Sequence, residues 1–216
     1  MLIEETLCSV PVTGINSDRI RVAIFDQLLQ SEIPFKRGNT LVDLGAGHCF
    51  FSKKARDFGY SVTAVDARTV RRPQDLGTIN FVQSDIRTFQ IEDADVVLNL
   101  GLFYHLTISD QVDILRKCNR VPFTILETQV HDPDRVGDAC GTREFSGMVN
   151  EEGFEGIYFG EVDNPMASFG NAQSFWHTHA SMLRIIQRSG YSRVTVIEPS
   201  FMSKYGVRRY YLLQGQ

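Results

Sequence analysis

The sequence has few cysteines and no long hydrophobic stretch. Its four cysteines, Cys8, Cys49, Cys118 and Cys140, share no CxxC pair and no zinc-ligand spacing, which indicates reduced thiols rather than a zinc module. No apolar run is long enough to cross a bilayer. The beginning of the sequence, MLIEETLCSV, contains acids and does not resemble a secretory signal. We therefore expect a cytoplasmic protein that does not contact a membrane.

An excess of positive charge is also missing. The sequence has 22 Lys and Arg against 26 Asp and Glu, for a formal net charge of -4. That balance gives no general attraction to polyanions, so a nucleic-acid substrate is disfavoured, although a local basic patch stays open. The scattered candidates for such a patch are Arg188, Arg193, Arg208 and Arg209. We interpret the arginines of the last strand most simply as strand surface.

Short apolar segments alternate with segments of helical periodicity along most of the 216 residues. The predicted strands cover 40–45, 61–67, 79–85, 94–101, 122–130, 194–199 and 207–214, and the predicted helices cover 17–30, 49–59, 108–120 and 174–191. This alternation predicts a single α/β domain over 1–216, with a mostly parallel seven-stranded sheet and helices on both faces. The last two strands predict an antiparallel hairpin, and 1–38 is predicted to be an N-terminal helical segment.

Residues 131–174 interrupt this rhythm. The segment is rich in glycines and acids and shows little periodicity, with room for one short strand at GIYFG. Insertions of this length are often lids or binding loops. We predict a lid-like insertion over the acceptor, at the carboxyl edge of the sheet, with the cofactor contacts on other loops.

The segment VDLGAGHCFF predicts a ligand-binding turn between a strand and a helix. Gly45, Ala46 and Gly47 allow the backbone to approach a ligand closely, and the start of a helix offers free N–H groups. A dinucleotide site needs a third glycine where this sequence has Phe50, so a pyrophosphate is not expected. Asp43, just before the glycines, suits a ligand with a cationic tail, such as the amino group of a methionyl moiety.

Polar residues end the next strands at the same edge of the predicted sheet, where α/β proteins bind ligands. Asp66 can accept hydrogen bonds from both hydroxyls of a ribose, and Asp85 can accept one from the exocyclic amine of adenine, with Ile86 packing nearby. The fourth predicted strand ends below the group to be transferred. The predicted cofactor residues at these strand ends are Asp66, Ala67, Asp85, Ile86, Asn99 and Leu100.

In these segments the sequence resembles the class I S-adenosylmethionine-dependent methyltransferases. VDLGAGHCF is similar to their first motif, and the spacings to Asp66 and Asp85 are similar to theirs. The resemblance covers roughly 40–128 and implies a Rossmann-like fold with S-adenosyl-L-methionine as the cofactor. The family usually has a third glycine where this sequence has Cys49, so we expect the following helix to stand slightly further from the strand.

A narrower likeness runs from NLGLFYHL to ILETQVHD. These segments are similar to a bacterial group that includes the tRNA wobble-uridine carboxymethyltransferase, and the likeness implies that Tyr104 lies near the transferred group. That group carries a long basic N-terminal domain for tRNA and its unusual cofactor. Because this sequence has only a short helix before its first predicted strand, we expect ordinary S-adenosylmethionine.

Two histidines follow strands whose ends are expected to face the transferred group. His105 and His131 are therefore candidates for the base that a hydroxyl acceptor needs, although each is equally well an ordinary structural or surface residue. Tyr104 is the third candidate catalytic residue. We expect His177 and His179 to line the substrate pocket, since two histidines without a nearby carboxylate make a poor metal site.

The end of the fourth predicted strand also bears on a metal. Asn99 stands where metal-dependent O-methyltransferases carry an acid, which disfavours a metal. We predict metal-independent transfer of a methyl group to a small-molecule acceptor, most simply at oxygen. A tRNA- or other nucleic-acid-modifying methyltransferase of the same fold and a non-catalytic cofactor-binding module stay as alternatives. The sequence leaves open the acceptor, the atom, the pathway, and the oligomeric state, a homodimer included.

Overall fold

The central sheet has eight strands in the computed structural model, which describes residues 4–11, 17–137, 145–162 and 168–215. The described residues form eleven strands in all, eight in this sheet and three in a second one: β1 (Glu4–Ser9), β2 (Thr40–Leu44), β3 (Ser61–Asp66), β4 (Asn80–Gln83), β5 (Val96–Leu100), β6 (Phe123–Val130), β7 (Val149–Glu151), β8 (Phe154–Gly160), β9 (Gln173–His177), β10 (Arg193–Ser203) and β11 (Gly206–Gln214). The helices are α1 (Ser17–Gln27), α2 (Phe50–Phe58), α3 (Ile108–Cys118) and α4 (His179–Arg188), with a π-helical turn at Leu28–Glu32 and a 3₁₀ turn at Phe103–His105. None of these helices is long and apolar enough to span a membrane.

The sheet order is β1-β10-β11-β6-β5-β2-β3-β4. All neighbouring strands are parallel except β11, which is antiparallel to both β6 and β10. The seven predicted strands and the closing hairpin are therefore confirmed. β1 adds an eighth strand where the sequence predicted only a helical segment. It is an exposed edge strand, with Leu7 68% exposed, so it lacks the apolar alternation by which strands are recognised.

Helices cover both faces of the sheet, as predicted. On one face α1 and α2 contribute Ile24, Phe25 and Ala55 to a core with β2, β3 and β5. On the other face α3 and α4 contribute Leu115 and Ile185 to a core with β6, β10 and β11. A parallel sheet covered on both sides must bury both faces of its central strands, and β5 is buried at every position.

Cys49 occupies the position where the family usually has a third glycine, and its side chain lies in the core. Cys49 is fully buried at the N-cap of α2 and has a φ of 54°, in the left-handed region that glycine adopts most easily. A residue with a side chain pays roughly 1–2 kcal/mol for that conformation. The turn keeps the glycine-like backbone, and the thiol packs in the core beside Ala55.

The insertion contains more regular structure than the sequence predicted. β7, β8 and β9 form a second, antiparallel sheet, where only one short strand at GIYFG was expected. The helix predicted over 174–191 begins only at His179, because the preceding residues pair with β8 as β9. Thr178 caps that helix by accepting a hydrogen bond from the backbone N–H of Ser181. Cys140 and part of the glycine-rich stretch before β7 lie outside the described residues.

A buried histidine ties the second sheet to the domain. His177 is 1% exposed, and its ring nitrogens hydrogen-bond to Ser181 Oγ at 2.8 Å and Gln111 Oε1 at 2.7 Å. Gln111 in turn donates to the carbonyl oxygen of Phe175 at 2.8 Å. This network joins α3 to β9. His177 is therefore structural, and the prediction that it lines the substrate pocket is wrong.

Burial lowers the pKa of His177 to about 3, well below its ordinary value of 6.5. The unfolded chain takes up a proton as the pH falls through about 6.5, whereas the folded chain does not until about pH 3. We therefore expect this residue to remove about 1.4 kcal/mol of stability per pH unit below about 6.5. The free energies of unfolding of the wild type and His177→Gln, measured in urea at several pH values, should differ by an amount that changes with that slope. Identical slopes in the two proteins would contradict the assignment.

Candidate active site

Two adjoining cavities lie where β2, β3 and β5 end. The larger has a volume of about 560 Å³ and the smaller about 450 Å³, both within the usual range of ligand pockets. β3 and β5 flank β2 on opposite sides, so the connections that follow β2 and β4 lead to strands on opposite sides of β2. Open α/β sheets bind ligands at such a point. The cavities share Gly45, Gly47, Arg71, Gly101 and Tyr104.

The predicted glycine turn forms the boundary between the two cavities. Gly45 and Gly47 have φ values of 70° and 51°. A Cβ atom on Gly45 would lie 3.0 Å from the side chain of Leu102, so a larger residue there needs both an unfavourable backbone and displacement of Leu102. Ala46 and Leu100, also predicted, line the smaller cavity.

Asp66 is held by the backbone of this turn. Its two carboxylate oxygens accept hydrogen bonds from the N–H groups of Gly47 and Arg68, each at 2.8 Å. Asp66 and the neighbouring Ala67 line the larger cavity. A carboxylate has about four acceptor positions, so lone pairs remain for ligand hydroxyls.

Asp85 and Ile86 line the same cavity. Asp85 is already engaged by Arg87, whose Nε lies 3.0 and 2.9 Å from the two carboxylate oxygens and whose backbone N–H donates at 2.9 Å. The hydrogen bond from Arg87 lowers the pKa of Asp85. A ligand amine therefore meets an ionised carboxylate that is fixed in place but shared with a guanidinium.

The insertion also covers this end of the cavity. Arg68 donates to the carbonyl oxygen of Ser168 at 2.8 Å, and Arg87 donates to that of Phe169 at 3.0 Å. Both carbonyls belong to the stretch before β9. Ser168 and Phe169 thus line the same cavity as Asp66 and Asp85. That the cofactor contacts lie on other loops than the insertion stays a prediction.

Two predicted cofactor residues line neither cavity. Asp43 is 3% exposed and accepts a hydrogen bond from Ser52 Oγ at 2.5 Å, and burial raises its pKa to about 6. It anchors α2 to the end of β2 from beneath the turn. Asn99 is 1% exposed, and neither polar atom of its side chain has a partner among the described residues. Asn99 lies in β5, which pairs with β2 on one side and with β6 on the other.

His105 faces the larger cavity and forms a dyad with an acid. Its Nδ1 lies 2.8 Å from Glu161 Oε1, and the Glu161 side chain is fully buried. Ser168 N–H also donates to Glu161, at 3.3 Å. With Nδ1 protonated toward the carboxylate, Nε2 is left as a hydrogen-bond acceptor. Glu161 was not predicted, since it is one of several acids in the insertion and nothing local distinguishes it.

Tyr104 is in contact with both cavities and with a buried ion cluster. The Arg208 guanidinium lies 5.1 Å from the Tyr104 ring centre. Glu127 Oε2 accepts hydrogen bonds from Arg21 at 2.9 Å and from Arg208 at 2.7 Å. Arg208, interpreted from the sequence as strand surface, is instead buried in this cluster. One carboxylate between two guanidiniums leaves a net positive charge at the wall of the smaller cavity.

The other predicted histidines lie elsewhere. His131 is not among the described residues that line either cavity; its backbone N–H donates to His177, and burial lowers the pKa of its ring. His179 packs against Tyr211, with Nδ1 2.9 Å from the hydroxyl, so it does not line the pocket as predicted. Within the described residues, no group of three or more His, Cys, Asp or Glu is placed to hold a metal ion.

The arginines that a nucleic-acid surface needs are engaged within the protein. Arg193 pairs with Glu4 and Arg209 with Glu198, while Arg188 lies over the ring of Phe154. Together with the buried Arg208, they do not form a free basic face.

A comparison with protein families finds a match in the part of the chain that forms the cavities. Residues 42–122 match the model of a family described as a methyltransferase domain. The match spans the glycine turn and the ends of β3 and β5, which is less than half of the chain. The enzyme class and the cofactor, S-adenosylmethionine, are thereby confirmed. A search of curated protein sequences gave no match.

The whole chain has the fold of solved methyltransferase structures. The N-terminal domain of EvdMO1 with S-adenosylhomocysteine bound is 18% identical, with a TM-score of 0.65 over 94% of this chain and 83% of that one. The Burkholderia thailandensis 1,6-didemethyltoxoflavin-N1-methyltransferase is 16% identical, with a TM-score of 0.60 over 92% and 78%. Magnesium protoporphyrin IX methyltransferase from Synechocystis is 12% identical, with a TM-score of 0.58 over 95% and 90%. At these identities the likeness establishes the fold, and the narrower likeness to the tRNA-modifying group stays a prediction.

Proposed function

We propose that this methyltransferase transfers a methyl group to a hydroxyl oxygen of a small molecule, without a metal ion. The observation that carries the proposal is the pairing of His105 with the buried Glu161 in the larger cavity, at 2.8 Å. A histidine held in this way is suited to take a proton from an acceptor hydroxyl. Replacing His105 with alanine tests the assignment, and we expect a large loss of rate with cofactor binding preserved.

The residues around the cavities fit S-adenosylmethionine. Asp66 and Asp85 present carboxylates on the side of β3 and β4, where the ribose and the adenine amine are expected. At the opposite side, the net positive cluster that contains Arg21 and Arg208 lines the smaller cavity and suits the methionyl carboxylate. Between them the glycine turn leaves the backbone open to the ligand. When bound, the cofactor supplies an electrophilic methyl group.

The remaining chemistry belongs to the side chains. His105 Nε2 would take the proton of the acceptor hydroxyl as that oxygen bonds to the methyl carbon. The methyl–sulfur bond would break in the same step, with its electron pair left on sulfur and S-adenosylhomocysteine as the leaving group. Glu161 holds Nδ1, which keeps the ring in the tautomer that accepts at Nε2 and stabilises the imidazolium that forms. The Glu161 side chain is fully buried, and its low-dielectric surroundings strengthen the interaction between the two groups.

The size and cover of the site support a small acceptor. The larger cavity of about 560 Å³ is closed on one side by Phe159 and Trp176 of the second sheet. A polymeric substrate needs an open, charged surface beside its target, and the described arginines listed above are engaged. Two of the similar structures carry a small molecule in their names, 1,6-didemethyltoxoflavin and magnesium protoporphyrin IX.

The cofactor assignment predicts the effect of removing one carboxylate. Asp66→Ala should weaken the binding of S-adenosylhomocysteine by about 1.5–3 kcal/mol, because hydrogen bonds to a charged group are lost. Calorimetry measures the affinity, and thermal unfolding of the ligand-free variant shows whether the fold is retained. Asp57→Ala is the matched control, since Asp57 pairs with Arg56 at the surface. Wild-type affinity in a folded Asp66→Ala variant would remove Asp66 from the cofactor site.

A further inference from the structure

The part of the larger cavity next to His105 has an aromatic wall. Phe159 and Trp176 stack with ring centres 4.8 Å apart and an interplanar angle of 21°. Tyr104 and Tyr205 meet Trp176 edge-on, with ring centres at 5.8 and 6.5 Å. All four of these residues line the cavity. Aromatic rings bind other flat rings well, through large apolar faces and stacked or edge-to-face contacts.

This wall is fixed before a ligand arrives. Trp176 Nε1–H donates to the carbonyl oxygen of Tyr104 at 2.9 Å, which connects the second sheet to the turn that carries His105. Phe145 packs edge-on against Trp176 from behind, with ring centres 5.2 Å apart. A preformed wall costs little ordering on binding, so it selects a rigid, flat acceptor over a flexible aliphatic one.

A lysine lies at this end of the cavity. Lys204, in the turn between β10 and β11, lines the cavity with its ammonium group 4.8 Å from the ring centre of Tyr205. None of the described carboxylates forms an ion pair with Lys204. The acids that line the cavity within the described residues, Asp66 and Asp85, belong to the adenosine end. An acidic group on the acceptor is therefore favoured near Lys204.

We infer that the acceptor is a hydroxyarene that carries an acidic substituent. Its ring lies against the aromatic wall, its hydroxyl faces His105 and its acidic group lies toward Lys204. The inference rests on the proposed function and adds to it the chemical class of the substrate. It does not depend on catalysis for its test, because binding alone distinguishes this class from others.

Trp176 provides the measurement, since it is the sole tryptophan of the sequence. Protein saturated with S-adenosylhomocysteine is titrated with 4-hydroxybenzoate, phenol or 4-hydroxycyclohexanecarboxylate while tryptophan fluorescence is recorded, with free tryptophan as the absorption control. We expect 4-hydroxybenzoate to bind most tightly, phenol more weakly, and the saturated acid not to change the fluorescence. Equal binding of the aromatic and saturated acids, or no binding of 4-hydroxybenzoate, would overturn the inference.

Two variants separate the ring from the charge. Lys204→Met should weaken 4-hydroxybenzoate about two- to five-fold and leave phenol unchanged, the effect of one exposed charge pair. Lys36→Met removes the same charge outside both cavities and should change neither. Phe159→Leu should weaken both aromatic ligands about two- to ten-fold. The affinity for S-adenosylhomocysteine is measured by calorimetry on the wild type and on every variant. Normal cofactor binding without the expected selectivity among the acceptors would reject the substrate class alone. No cofactor binding in the wild type would reject the proposed function itself.

Discussion

The His105→Ala variant is expected to lose about 10²–10⁴-fold in the rate of methyl transfer, the usual contribution of a positioned general base. The loss should appear in single-turnover formation of S-adenosylhomocysteine with saturating cofactor and acceptor. The acceptor is 4-hydroxybenzoate or phenol, the two hydroxyarenes of the fluorescence titration. Cofactor affinity should stay nearly unchanged, because the residues proposed to hold the cofactor, such as Asp66, lie on other turns.

His131→Ala is the matched control for this experiment. His131 also follows a strand of the central sheet but does not line either cavity among the described residues, so we expect a near-wild-type rate. Glu161→Gln should reduce the rate less than His105→Ala, since it removes the group that orients the base and not the base. Full activity in a folded His105→Ala variant would mean that the acceptor needs no base at His105.

The central sheet could be predicted because its signals are local. Each buried parallel strand is a short apolar run that ends at a polar or glycine residue, as in Val96–Leu100, and each covering helix has a regular apolar period. β1 and β9 were not predicted because neither segment shows a distinct strand pattern in the sequence. Glu4–Ser9 is an exposed edge strand, while Gln173–His177 contains the same apolar residues that a buried helix start contains.

The residues of the site also divide into those with a local sequence signal and those without one. Gly45, Gly47 and Asp66 lie in one strand–turn–helix–strand unit, so their spacing in the sequence reflects their spacing in space. Glu161 and Arg208 reach the site from chain segments far from their partners, at sequence separations of 56 and 81 residues. A single sequence contains no signal for such pairs. From composition alone, both residues would be expected to be ordinary surface charges, although both are largely buried.

The Glu127→Gln variant is expected to lose about 3–5 kcal/mol of unfolding free energy, because removing one partner of a buried ion cluster leaves the remaining charge uncompensated. The Glu127 side chain is fully buried, and the side chains of its partners Arg21 and Arg208 are 24% and 15% exposed. A Cβ atom on Gly101 would lie 3.0 Å from both guanidiniums, so the cluster is tightly enclosed. Urea unfolding measures the loss.

Glu198→Gln makes the same chemical change in a more exposed ion pair. Glu198 is 32% exposed and pairs with Arg209, so we expect a loss of only about 0–1 kcal/mol. Equal losses in the two variants would show that the Glu127 cluster is hydrated and contributes no more than a surface pair.

A second substitution distinguishes uncompensated charge from lost packing in the Glu127→Gln variant. If the buried cation is the cause, adding Arg208→Met should recover part of the lost stability, because the charge that lacks a partner is then gone. If the cause is packing, the two losses should add, since Arg208 also contacts the ring of Tyr104. Recovery would show that Glu127 is present to hold two cations beside the cofactor cavity, and that the positive charge proposed to bind the methionyl carboxylate is tolerated only because this carboxylate neutralises half of it.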